Sequence, residues 1–361
     1  MDYTMEVSLP EPRKSPPESV DKNKQYDLFT TFFGKDQRDL SNTIELWDAI
    51  PKYAVSPRQQ NASRDDNWRL PVHVQEFEYR PSHLDTAPVT CRLKVQPASI
   101  EIKPGKFMDF YPSTDEELIE EVLKKIFADQ QYGMHSVAGN ESWVRFTLYM
   151  IQKELKTRGK SRSIDEIKRS LEIMSQAVVE VEFQGQTKRL RYTNLLLSDL
   201  TRMTRNDYLQ DPKGMWYGRL PAIVSKSINE LTYRQFNYAT LMSLPTPLSR
   251  WLHKRLSHQY TNAGLLHPYQ IKFSTIERDS GLLHHCRRSA NMKAIDAALN
   301  ELIKRNVLLN ISSKEERRGR EIVDVLYVLH AHPDFVSEVK AANARQRDHR
   351  LTLSTAGRRT I

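Results

Sequence analysis

Two stretches of this chain, opening at Ser113 and at Thr246, spell the same order: capped helices, then a pair of strand-like runs joined by a charged turn. In the first stretch, Ser113 or Thr114 can cap a helix whose first turn is acidic (Asp115, Glu116, Glu117), which suits a helix N-terminus. Leu118, Ile119, Val122, Leu123, Ile126 and Phe127 follow at helical spacing, and Gly133 lies beyond the end. A second helix is expected over about Ser142–Arg158, burying Trp143, Phe146, Tyr149, Met150 or Ile151, and Leu155. A third opens at the capping box Ser163-Ile-Asp-Glu166, where each side chain satisfies an otherwise unpaired amide of the other residue; its stripe is Ile167, Leu171, Met174 and Val178. Strands are expected at Val178–Phe183, at Lys188–Leu197 beyond a Gln184-Gly185-Gln186 turn, and at Tyr217–Ser227.

The second stretch repeats the plan. Thr246 as cap with Pro247 behind it opens a helix through His258, with Leu248, Trp251, Leu252, Leu256 and Tyr260 as its stripe. A second capping box, Ser274-Thr-Ile-Glu277, opens a short helix that Gly281 ends. A third helix runs from about Ser289 to Arg305 and buries Met292, Ile295, Leu299, Leu302 and Ile303. Strands Val307–Ser312 and Ile322–Leu329 flank a charged turn, and a last helix covers Asp334–Ala344.

Three helices followed by a twisted hairpin is the order of a winged helix. The expected fold is therefore α+β, with two tandem winged-helix domains at 41–240 and 241–345. Residues 1–40 read as a disordered segment, with Pro10, Pro12, Pro16 and Pro17 among charges. Residues 346–361 read as an unfolded basic tail. Between 41 and 107 the chain carries an apolar stretch at 41–53, a polar loop at 57–68, and strand-like runs at Val72–Arg80 and Val89–Ile102. That segment has no evident role.

The charge distribution points toward a polyanion. Of the net +9, all lies after residue 245: 20 Lys+Arg against 11 Asp+Glu there, and 34 against 34 before it. A localised basic field is what a protein that neutralises phosphates requires, although a solvated basic surface would look the same. At 361 residues and 39% hydrophobic, the chain can build two cores. No stretch approaches the roughly 18 apolar residues of a membrane span, and the N-terminus lacks a secretory signal's basic start and apolar core. Two cysteines, Cys91 and Cys286, are too few for a disulfide framework or a zinc cage. A cytoplasmic, reducing compartment fits.

The third helix of the second stretch is the candidate DNA reader. Opposite its apolar stripe lie Arg287, Ala290, Lys293, Ala294, Ala297 and Lys304, with Arg288 and Asn291 near its start. Basic groups at both ends can meet phosphates, and small alanines let a helix approach the major groove and touch thymine methyls. The turn Lys314-Glu-Glu-Arg-Arg-Gly-Arg320 would be the wing, placing Arg317, Arg318 and Arg320 beside a backbone or minor groove. In the first stretch Lys160, Arg162, Lys168 and Arg169 form a weaker basic set, either a second contact or plain surface charge.

Enzyme readings find no support in the residues. Gly159-Lys160-Ser161 resembles the end of a P-loop, but Glu154 stands where the first glycine must be. His284-His285-Cys286 are adjacent, so three ligands cannot surround one metal without sharp bends. No catalytic residue, metal or cofactor is expected; a nuclease or relaxase would need a metal-dependent nicking site.

Gln25-Tyr26-Asp27-Leu28-Phe29 resembles the peptide by which bacterial replication proteins bind the polymerase sliding clamp, of form Gln-x-Asp/Ser-Leu-Phe. Leu28 and Phe29 would fill apolar pockets and the Gln25 amide would bond at the rim; the same residues could instead pack on the first domain. Taken together, the chain resembles theta-type plasmid replication initiators, the iteron-binding tandem winged-helix Rep proteins. The resemblance is clearest over 114–335 and rests on Phe110-Tyr-Pro-Ser-Thr-Asp-Glu-Glu-Leu118, on Leu171-Glu-Ile-Met-Ser175 running into Val178–Phe183, and on Leu244–Tyr260. It implies binding to double-stranded direct repeats at an origin, strand opening, recruitment of host initiator, helicase and sliding clamp, self-association between monomer and dimer, copy control and self-repression. A transcriptional regulator built on the same domains is the alternative.

Overall fold

The computed structural model describes residues 40–80, 87–129, 131–136, 139–184, 189–202, 215–230, 233–264 and 266–357. Gln25–Phe29 and the rest of the first 39 residues lie outside them.

In chain order, β1 (Leu40–Ile44), α1 (Glu45–Ala49), α2 (Pro57–Ser63), β2 (His73–Tyr79), β3 (Val89–Gln96), β4 (Ala98–Lys103) and β5 (Lys106–Phe110) precede the first long helix. That helix is α3 (Thr114–Phe127), and β6 (Gly133–Ser136), β7 (Glu141–Phe146), α4 (Leu148–Thr157), α5 (Ile164–Gln176), β8 (Val178–Gln184) and β9 (Arg189–Leu195) follow it. Then come β10 (Ser198–Thr201), β11 (Trp216–Arg219), α6 (Ala222–Asn229), β12 (Tyr233–Asn237) and α7 (Tyr238–Ser243). The last third holds α8 (Pro247–Gln259), β13 (Tyr269–Lys272), α9 (Phe273–Ser280), α10 (Arg288–Lys304), β14 (Leu308–Arg318), β15 (Glu321–Ala331) and α11 (Pro333–Gly357). The protein is a mixed α+β structure.

Helix starts follow local chemistry. Glu116 accepts from the Ser113 amide at 2.7 Å, and Ser163 and Glu166 cap one another at 3.2 and 2.7 Å. Thr246 takes the Ser249 amide at 3.1 Å, with Pro247 in the first helical position. The box expected at Ser274 does not form. Helix α9 begins two residues earlier than that cap would set, at the buried Phe273, and Asp324 of β15 receives the Ser274 amide at 3.1 Å and hydroxyl at 2.6 Å. Gly281, at φ +61°, ends α9 as expected.

Two segments differ from expectation. The helix placed at Ser142–Arg158 is a strand, β7, then a helix starting after Thr147, whose hydroxyl takes the Met150 amide. Ser142, Val144 and Phe146 are fully buried and Trp143 nearly so, because β7 lies inside the sheet β10-β11-β7-β6. A strand buried on both faces has no period-two signature. Tyr149 is exposed. The strand placed at Tyr217–Ser227 breaks at Pro221 into β11 and α6, which buries Ile223, Val224 and Ile228 at helical spacing. In addition, the backbone of α11 stays helical through Gly357, where an unfolded tail was expected.

Two hydrophobic cores account for most of the buried apolar residues. One gathers residues from Ile44 to Met242, the other from Leu244 to Val339. The units share a plan of helix, strand, helix, helix and two strands, α8-β13-α9-α10-β14-β15 in the second, with one extra strand in the first, α3-β6-β7-α4-α5-β8-β9. In the second unit the three strands form one antiparallel sheet, β13-β15-β14. In the first, β7 joins β11, and the β8–β9 hairpin extends a sheet ordered β2-β3-β8-β9. Residues 41–107 thus enlarge the first unit: β1 pairs β12, β2 and β3 widen the hairpin sheet, and α1 reaches the junction between the cores.

That junction is built from charges. Four acids (Asp48, Glu117, Glu120, Glu121) and four bases (Lys52, Lys124, Arg250, Lys254) are buried where α1, α3 and α8 meet. Arg250 holds Glu117 at 2.7 Å, Lys254 holds Glu121 at 2.8 Å, Lys124 holds Asp48 at 2.7 Å, and Lys52 lies 3.6 Å from Glu120. Burial alone would push the carboxyls up, yet the surrounding cations hold Asp48 well below the usual range and lower Glu117 and Glu120. Among the described residues the carboxylates of Asp48, Glu120 and Glu121 are close enough to share a cation; lysine ammonium groups stand at those distances. The linker is gripped as well: Lys160 and Arg250 donate to the Leu244 carbonyl, and Arg305 to that of Ser243 at 2.9 Å.

Candidate nucleic-acid interface

Helix α10 buries Asn291, Ile295, Ala298, Leu299 and Leu302 against the second core, with Met292 and Ile303 partly buried at the flanks. The opposite side is exposed at Ser289, Lys293, Asp296, Ala297, Asn300 and Lys304, while Ala290 and Ala294 are half-buried. Arg287, the residue before the helix, is exposed. Among the described residues no acid pairs with Arg287 or Lys293. Lys304 pairs with Glu301 at 2.8 Å, on the helix surface where solvent competes.

Two residues near the helix start serve the fold. Asn291 is a correction to the sequence reading: it is 4% exposed, accepts from the His285 amide at 2.9 Å and donates to the His285 carbonyl at 3.1 Å. Its amide closes the turn ahead of α10 and presents nothing to solvent. Arg288 lies over the Phe273 ring at 4.6 Å and donates to the Val323 carbonyl at 2.7 Å, tying the start of the helix to the outer part of the hairpin, near its turn.

The hairpin is longer than its sequence suggested. Strands β14 and β15 pair through Arg318↔Glu321, leaving a two-residue turn at Gly319 and Arg320, with Gly319 at φ +64°. The charged run expected as a loop is therefore a ladder: a two-stranded ribbon in solvent satisfies its backbone across strands and needs few apolar side chains. Glu315 is taken by Arg317 at 2.5 Å and Glu316 by Lys272 at 2.8 Å. Arg318 and Arg320 at the tip are exposed and have no acid partner among the described residues.

The turn ahead of α10 and the end of α9 are fixed against the first unit. Gln59 of α2 bonds His284 at 2.9 Å, Gln75 of β2 donates to the Arg278 carbonyl at 2.9 Å, and Asp279 accepts from the Glu78 amide at 3.0 Å. Beyond the far end of the helix, Arg305 reaches Ser243. The second unit's outward face therefore has a set orientation relative to the first unit.

The four basic residues expected in the first unit divide. Lys160 turns inward to the Leu244 carbonyl at 3.1 Å, where burial and the neighbouring Arg250 and Arg305 lower its pKa. Arg162 pairs with Asp115 at 2.5 Å, but Lys168 and Arg169 are exposed on α5. Two features escaped the sequence reading. Asn300 and Asp296 sit among the basic residues of α10, at helical spacing from Lys293. The junction acids Glu117, Glu120 and Glu121 share the spacing of a core stripe, a pattern that reads as an ordinary solvated face.

No protein-family model and no curated protein matches the chain. Among solved structures it is similar to domains 2 and 3 of RctB in selenomethionine form, at TM-score 0.45 and 10% identity, covering 79% of this chain and 97% of that one. A further structure of RctB domains 2–3 gives 0.42 and 9%, over 75% and 95%. The Pi initiator protein in complex with iteron DNA gives 0.35 and 9%, over 83% and 100%. No described helix is long and apolar enough to cross a membrane.

Proposed function

We propose that the protein is a plasmid replication initiator made of two tandem winged-helix domains, 41–240 and 241–345, which binds direct repeats of double-stranded DNA at an origin and has no active site of its own. One observation carries this reading. Helix α10 turns an exposed face bearing Arg287, Lys293 and Lys304 outward, beside a hairpin tipped by Arg318 and Arg320, in the part of the chain that holds all the excess positive charge. A helix of this kind enters a major groove while the hairpin tip lies along the neighbouring backbone. Lys168 and Arg169 on α5 offer the first unit's contact. In this reading Gln25, Asp27, Leu28 and Phe29 bring the sliding clamp to the origin, host initiator and helicase follow, and dimers repress the protein's own gene in the cytoplasm. The second reading, a winged-helix transcriptional regulator, shares the DNA face and lacks clamp binding.

The test of the DNA face is Arg287→Ala/Lys293→Ala in a gel-shift titration on a duplex enriched from a random library. Loss of tenfold or more in affinity is expected; unchanged affinity would remove α10 from the interface. Calorimetry of a peptide spanning 20–35 against a bacterial sliding clamp separates the two readings. Micromolar binding lost in Leu28→Ala/Phe29→Ala supports the initiator, and no binding favours the regulator.

A further inference from the structure

We propose that Asn300 and Asp296 are the base-reading residues of α10, Asn300 pairing with an adenine edge and Asp296 accepting from a cytosine amino group. This rests on the DNA-binding reading above and adds what that face selects. Ser289, Lys293, Asp296, Ala297, Asn300 and Lys304 recur at intervals of four, three, one, three and four, so they form one exposed stripe along the helix. Lys293 and Lys304 are eleven residues apart, about 16 Å along the axis at 1.5 Å per residue. That exceeds the roughly 12 Å width of a major groove, so both ammonium groups can meet phosphates while the residues between them face base edges.

Those intervening residues have distinct chemistry. Ala297 adds only a methyl group, which lets the helix backbone come close. The Asn300 amide presents a donor and an acceptor together, matching the N6 donor and N7 acceptor of adenine and no other base in that groove. A carboxylate only accepts, so Asp296 suits the N4 amino group of cytosine and repels the two acceptors of guanine.

Asp296 is the more telling of the two. It is exposed, and among the described residues it has no cation partner. A carboxylate on a face that only bound phosphates would weaken binding to every sequence. On a face that discriminates, it excludes the wrong base. Both side chains lie outside the buried set Ile295, Leu299 and Leu302, although partial burial raises the pKa of the Asp296 carboxyl and sets it within electrostatic reach of Tyr327.

The experiment is selection of duplexes from a random library with the full chain, comparing wild type, Asn300→Ala and Asp296→Asn, each checked for unchanged circular dichroism. The selected sites are then titrated across a salt series. Asn300→Ala is expected to lose about tenfold or more of the preference for adenine at one position, with an unchanged salt slope. Asp296→Asn is expected to relax exclusion of guanine at a position within a few base pairs. Variants that enrich the wild-type motif with the same base preferences would overturn the assignment while leaving DNA binding intact. A wild-type chain that enriches no motif would overturn the DNA reading and this inference with it.

Discussion

Replacing Arg250 with alanine tests whether the buried charges set how the two units meet. Arg250 is 1% exposed, and its guanidinium holds one oxygen of Glu117 at 2.7 and 3.1 Å and the Leu244 carbonyl at 3.3 Å. In Arg250→Ala the junction changes from four acids and four bases to four and three. The cation left nearest Glu117 is then Lys254, at 3.9 Å. Stranding one member of a buried pair costs about 3–5 kcal/mol, because the desolvation of the remaining charge is no longer offset. The Leu244 carbonyl keeps Lys160, so little is added there. Replacing both partners, Glu117→Leu/Arg250→Met, removes both desolvation costs and is expected to recover most of the loss. Urea unfolding followed by fluorescence reads the result, since Trp47 and Trp251 sit beside the network. If Arg250→Ala costs less than about 1 kcal/mol, or if the two single changes simply add in the double variant, the network does not couple the units as described.

Two further changes probe the same junction. His253 and His258 of α8 are buried, and burial, with Lys254 also lowering His253, depresses both to about 3. The unfolded chain therefore binds more protons at low pH: stability is full above about pH 6.5 and falls as pH drops toward 3. At pH 5 each histidine costs about 2 kcal/mol relative to pH 7, from about 1.4 kcal/mol per unit of pH. Among the described residues His253 has no hydrogen-bond partner on either ring nitrogen, and it lies between Phe236 and Phe335, so His253→Phe should remove about half of the acid limb without loss at pH 7; an unchanged limb in unfolding measured from pH 7 to 5 would rule this out. Gly281→Ala meets the left-handed backbone and displaces the Gln75 amide, which must swing aside and give up its bond to the Arg278 carbonyl. A loss of about 2–3 kcal/mol is expected in urea unfolding, and no loss would mean β2 does not seat on that turn.

The sequence showed what is decided locally. Helices α3, α5 and α8 announce themselves by capping pairs, and α10 by an apolar stripe, all within a few residues. The β14–β15 hairpin was legible in kind, though its ladder runs further than the apolar residues do. What failed depends on distant partners. Trp143 to Phe146 reads as helix or strand until β6 and β11 are placed on either side. Phe273 starts α9 because its ring enters the core and Asp324, fifty-one residues on, accepts from the Ser274 amide and hydroxyl. At the candidate site, position on the α10 face was legible for Lys293, Ala297 and Lys304. Asn291 was misplaced because its partner is the backbone of an irregular turn, which periodicity does not describe.

The most direct measurement is a fluorescence anisotropy titration of the full chain on the duplex it enriches from a random library, beside a scrambled duplex, from 50 to 200 mM salt. The proposed function requires binding to the enriched duplex at least about a thousandfold tighter than to the scrambled one, and affinity that falls steeply with salt as phosphates are neutralised. Equal affinity for the two duplexes, or no saturable binding at 50 mM salt, would contradict it.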